Sequence, residues 1–100
     1  MNQIEDTPAA QPWFLYVIEC RNGALYTGIS NDVTRRYSAH CRGRGARYTR
    51  MYPPERLLAV IEFPDKAEAS KAEFAFKQLS AEQKRNWCQA HMLPNDTNKI

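Results

Sequence analysis

The chain has 100 residues, 43% of them apolar and 25% charged, and carries a net charge of +3. That length holds one hydrophobic core and so one domain. The composition is that of an ordinary globular protein, and no run of about 18 apolar residues is present to span a membrane.

Residues 1–11 are polar, contain Pro8 and show no period, so they read as a disordered arm. They also lack the basic-then-apolar order of a secretory signal. The domain is expected over residues 12–92, with a frayed tail at 93–100. Trp13 to Cys20 is rich in aromatic and β-branched residues and reads as a strand, Ala24 to Ile29 as a second, with Asn22-Gly23 as the hairpin signal between them. Tyr16 and Tyr26 are an even distance apart. A two-residue Asn22-Gly23 loop would put them on opposite faces. A three-residue loop, Arg21-Asn22-Gly23 with Gly23 left-handed, puts both rings on one face. The bulged turn is the expectation.

Asn31 or Asp32 can cap a helix running to about His40. Val33 and Tyr37 form its apolar edge, and Arg36 and His40, also four apart, lie beside that edge. An arginine at such a border ordinarily snorkels to water; here it can also face the tyrosines. Gly43 and Gly45 open a loop through Pro53-Pro54. Arg56 to Phe63 is nearly all apolar and reads as a buried third strand. A second helix follows Pro64 with Asp65 as cap, its inner stripe formed by Ala69, Ala72, Phe76 and Leu79 with Phe74 on a flanking row. Ser80 and Gln83 make a capping box for a third helix over 81–91, with Trp87 inward. The expected fold is α+β: a three-stranded antiparallel sheet flanked by about three helices.

Between Val33 and Pro54 lie six arginines, Arg35, Arg36, Arg42, Arg44, Arg47 and Arg50, and no acid. Such a block is a solvated loop or a polyanion site. Arginine's planar fork suits phosphate, and contacts to phosphate release counterions. Glu73 falls beside Ala69, Ala72 and Phe76, where a carboxylate needs compensation. Lys77 at i+4 offers an ordinary salt bridge. A lone carboxylate also suffices for magnesium, which completes its shell with water and phosphate oxygens. A buried tyrosine is more often packing than chemistry; two on one face near Arg36 and His40 improve the odds of chemistry, and His40 alone is more often structural. Cys20, Cys41 and Cys88 are odd in number and form no C-x-x-C. This argues against disulfides and for a reducing, cytoplasmic setting. Cys41 beside His40, and Cys88 with His91, match no common zinc spacing.

The ordered set Leu15-Tyr16-Val17, Tyr26-Thr27-Gly28, Arg36-x-x-x-His40 and a helical Glu73 resembles the GIY-YIG nuclease superfamily. The similarity is greatest to its small stand-alone bacterial members, related to the module in the incising subunit of nucleotide excision repair. Gly45-Ala46-Arg47-Tyr48-Thr49-Arg50 resembles a segment shared by that subgroup, and the likeness covers roughly Trp13 to Leu79. Leu15 stands where the family has its first glycine and Thr27 where it has isoleucine. Asn86 is the nearest counterpart of an asparagine late in the family's module.

The resemblance implies metal-dependent hydrolysis of DNA phosphodiester bonds, structure- or damage-selective in repair or recombination. Tyr16, Tyr26, Arg36, His40 and Glu73 would be catalytic. Glu73 would hold magnesium, or manganese in its place, Arg36 would neutralise the scissile phosphate, Tyr16 or Tyr26 would activate water, and His40 would assist the proton. All five side chains are expected on one sheet face. Arg35, Arg42, Arg44, Arg47, Tyr48 and Arg50 would bind DNA. The chain would act as a monomer, with a targeting protein as a partner and no membrane. The rival readings are a non-catalytic nucleic-acid-binding module of the same fold and a protein-interaction subunit whose tyrosines are only core.

Overall fold

A computed structural model describes residues 11–91. The tail expected at 93–100, and all of the N-terminal arm but Gln11, lie outside the described residues. The elements are β1 (Trp13–Cys20), β2 (Leu25–Ser30), α1 (Val33–Cys41), α2 (Arg47–Met51), β3 (Pro54–Phe63), α3 (Lys66–Lys77) and α4 (Ala81–Ala90). The sheet is three-stranded and antiparallel in the order β2-β1-β3. Among the described residues no helix is long and apolar enough to cross a membrane.

The hairpin turns through Arg21-Asn22-Gly23. Tyr16 pairs with Gly28 and Ile18 with Tyr26, the Gly23 N–H donates to the Cys20 carbonyl at 2.8 Å, and Gly23 has φ +87°. That is the bulged loop, and it sets Tyr16, Ile18, Cys20 and Tyr26 on one face. With Val33, Tyr37, Leu57 and Val60 they form the cluster under α1. The opposite face carries Val17, Leu58 and Ala59, packed on Phe76 and Cys88 with Leu25, Leu79 and Trp87 alongside. Each fully buried large apolar side chain contributes about 1.5–3 kcal/mol.

β2 and β3 flank β1 and run parallel to each other, so the chain from one to the other crosses over one face, carrying α1 and α2. α3 and α4 then cover the other face. β3 lies at the sheet edge and is less buried than its apolar run leads one to expect, with only Pro54, Leu58 and Ala59 buried. A fourth helix, α2, occupies part of the expected loop. Caps match the sequence: Asp32 accepts from the Arg35 N–H, Asp65 from the Glu68 N–H, and Ser80 with Gln83 closes a reciprocal box.

Candidate active site

Tyr16 and His40 are both 1% exposed, and the Tyr16 hydroxyl lies 3.0 Å from His40 Nε2. Two glycines make room for them. A Cβ at Gly28 would fall 2.6 Å from the Tyr16 oxygen, and one at Gly45 would fall 2.2 Å from His40 Nδ1. Only hydrogen at these positions lets the phenol lie across β2 and the imidazole seat under the loop.

The hydrogen-bond chain assigns the histidine's tautomer. Thr49 Oγ1 donates its one proton to the Ala46 carbonyl at 3.0 Å, so at 2.7 Å from His40 Nδ1 it accepts the Nδ1 hydrogen. The Ala46 N–H also points to Nδ1, at 3.4 Å, and is the longer and weaker of the two contacts. The shorter contact favours hydrogen on Nδ1, the tautomer in which Nε2 accepts from Tyr16. Burial, and secondarily the charge of Arg36, holds His40 below the usual histidine range and hence neutral. Burial raises the Tyr16 phenol, while Arg36 acts in the opposite direction and favours its ionised form.

Tyr26 is half-buried, its ring 5.1 Å from that of His40 and nearly parallel to that of Tyr48 at 6.3 Å. Tyr48 contacts Tyr52 at 5.0 Å, and Asn22 Nδ2 at the hairpin tip donates to its hydroxyl at 3.4 Å. Tyr48 and Tyr52 are each 37% exposed. Arg36 borders a depression of about 360 Å³ with Ser30, Asn31, Asp32, Arg35 and Ala39. Arg35, Arg42, Arg44, Arg47 and Arg50 are exposed, and among the described residues none of them pairs with a carboxylate.

Glu73 departs from the expectation of one shared sheet face. Its helix packs on the Val17 side, anchored by Ala69 and Phe76, opposite α1. Glu73 sits on the flank of that helix, and its charge still acts on the Tyr16 phenol, opposing ionisation. The carboxylate binds Lys77 at 3.0 Å and is 24% exposed. Phe74, on the neighbouring row, is 70% exposed. Asn86 lines a different cavity of about 290 Å³, where Arg56 and Arg85 already satisfy Glu19.

Among the described residues no three metal-ligating side chains cluster. A half-buried carboxylate paired, among those residues, only with a lysine fits a hard cation that draws most of its shell from water and phosphate, and fits poorly a metal requiring a full protein cage. Thr49 was not singled out from the sequence. Its one signal in the sequence is its place in the Gly45 to Arg50 segment.

The GIY-YIG catalytic domain family matches residues 12–86. A UPF0213 protein of Xanthomonas axonopodis pv. citri is 54% identical over 82 residues, covering 82% of this chain and 80% of that one. A UPF0213 protein of Neisseria meningitidis serogroup A is 44% identical over 89 residues, covering 88% and 98%. The solution structure of UPF0213 protein BH0048 from Bacillus halodurans superposes with a TM-score of 0.57 at 38% identity, covering 87% of this chain and 93% of that one.

Proposed function

The chain belongs to the GIY-YIG catalytic domain family, a nuclease-type domain, and from that premise we propose that it is a metal-dependent endonuclease hydrolysing DNA phosphodiester bonds. The observation that carries the reading is the 3.0 Å contact from the Tyr16 hydroxyl to Nε2 of His40, itself held through Thr49. A buried phenol that only packs needs one hydrogen-bond partner. It does not need that partner to be a neutral imidazole with its tautomer fixed from behind.

Water attacks phosphorus, and one of its protons passes to Tyr16 Oη as the phenol's own proton passes to Nε2. The phosphorus–oxygen ester bond then breaks, and the leaving oxygen takes a proton as His40 returns to neutral. The ordinary values of 10.0 for the phenol and 6.5 for the imidazole make prior ionisation of Tyr16 uphill, and burial widens the gap. The transfer is therefore coupled to attack. Arg36, whose charge favours the ionised phenol, neutralises charge on the scissile phosphate. Glu73 would hold the divalent cation, whose chemistry there would be to supply positive charge to the phosphate under attack. The exposed arginines and Tyr48 track the strand.

A second reading makes Tyr26 the base, since it is half-buried where Tyr16 is 1% exposed. Tyr16→Phe and Tyr26→Phe rates, measured on folded protein, decide between them. The function itself is tested by cleavage of plasmid, branched and single-stranded DNA with magnesium or manganese. Wild type is expected to cut and Glu73→Ala not to, while equal nicking by both removes the metal assignment. A preference for branched or damaged DNA in that panel would support the role in repair or recombination.

A further inference from the structure

The ion pair between Glu73 and Lys77 differs from the ordinary one on the same helix. Lys71 to Glu68 spans 3.4 Å with side chains 74% and 49% exposed. Lys77 to Glu73 spans 3.0 Å with side chains 52% and 24% exposed. Lys77 also lines a depression of about 360 Å³ at the β2 edge together with Tyr26, Tyr48 and Lys84. Its ammonium thus lies between the one carboxylate of the site and the aromatic groove beside it.

We propose that Lys77 competes with the divalent cation for Glu73 and, once displaced, binds a phosphate of the substrate strand in the groove beside Tyr26. The inference rests on Glu73 as the metal-holding residue. Oε2 cannot hold an ammonium at 3.0 Å and also accept a dication without forcing two positive groups together. Lys77 has a long, rotatable stem and a compact charge, so it leaves at small cost, and the groove gives it an anion to pair with. A metal that frees Lys77 strengthens strand binding, and a strand that draws Lys77 away strengthens metal binding, by the same factor. The contact weakens cation binding until substrate arrives.

The test titrates manganese into the full chain in the absence of DNA and reads free Mn²⁺ by electron paramagnetic resonance. Lys77→Met should bind about three- to tenfold more tightly than wild type, from loss of the pair and of the nearby like charge. Lys77→Arg should stay near wild type. Lys71→Met, which removes the same charge two residues from Glu73 but on the row that pairs with Glu68, should change little. Anisotropy of a labelled oligonucleotide, with calcium in place of magnesium to spare the strand, should show metal strengthening strand binding in wild type and much less in Lys77→Met. Lys77→Met at wild-type manganese affinity, or matched by Lys71→Met, overturns the proposal, as does equal metal enhancement of strand binding in wild type and Lys77→Met. Glu73→Gln separates the two levels. If it abolishes manganese binding while Lys77→Met changes nothing, only the competition fails. If it too binds as wild type, the metal assignment fails and takes the competition with it.

Discussion

Tyr16 and Gly28 stand opposite each other across β1 and β2, and the phenol oxygen occupies the space a Cβ at residue 28 would take, 2.6 Å away. The third position of the second tripeptide is thus fixed by the reach of the first tyrosine. Gly28→Ala must push the ring off His40 Nε2, since the ring carbon bearing the hydroxyl is also within 2.8 Å. The expected cost is about 1–3 kcal/mol of stability from overpacking, read by urea unfolding, with cleavage falling further than the unfolded fraction explains. An alanine variant with wild-type stability and rate would show that the ring has slack here.

Tyr16→Phe removes one oxygen and leaves His40 Nε2 buried without its donor. An unsatisfied buried acceptor costs about 1–3 kcal/mol, and loss of a positioned base costs about 10²- to 10⁴-fold in rate. Thr49→Val is the companion experiment, keeping the shape under Nδ1 but removing the hydroxyl that fixes the tautomer. Imidazole ¹⁵N shifts should report Nδ1–H in wild type and a tautomer mixture in Thr49→Val, with a smaller rate loss than Tyr16→Phe. Nε2–H in wild type would reverse the direction of the proposed relay.

The sequence carried the hairpin because parity is strict: an even tyrosine spacing and one shared face admit only an odd loop, and Gly23 supplies its positive φ. Asp32, Asp65 and Ser80 were legible for a similar reason, since a cap is a local bond between residues three apart. The helix α2 was not. It spans five residues, has no side-chain cap, and is held by the seating of Thr49 under His40, a contact nine residues long in sequence. The face of α3 is not legible for another reason. A helical stripe says which residues share a flank, whereas the side of the sheet that receives the helix is set by the crossover from β2 to β3 and the return from β3.

His40 titrates below its ordinary value because burial, and then Arg36, penalise the imidazolium. The unfolded chain therefore binds the proton more readily, and stability falls as pH drops below about 6.5 toward the native value, being fully present above it. Activity follows the same limb, because a protonated Nε2 cannot accept from Tyr16. Urea midpoints at pH 7.5 and 5.5 should differ more in wild type than in His40→Gln, and the acid limb of kcat/KM should lie below that of a free imidazole. A limb above 6.5 would mean a carboxylate, not burial, governs this histidine.

Arg44 and Arg47 flank the loop that seats His40, both exposed and, among the described residues, without a carboxylate partner. Their charges are therefore free to contact phosphate rather than being spent within the fold. If each makes one such contact, removing it lowers the slope of log K against log salt by about 0.7–0.9, the lower figure for single strands. Arg44→Ala and Arg47→Ala should each show that drop in oligonucleotide binding across a salt series, with the double variant losing about twice as much. Unfolding midpoints should stay near wild type, since exposed substitutions usually change stability by less than about 0.5 kcal/mol. Arg85→Ala is the contrast. That side chain is tied to Glu19 and to the Gly23 carbonyl at the hairpin, so its removal should lower stability and leave the salt slope unchanged. A slope that falls equally in all three variants would mean binding follows net charge rather than the arginine loop.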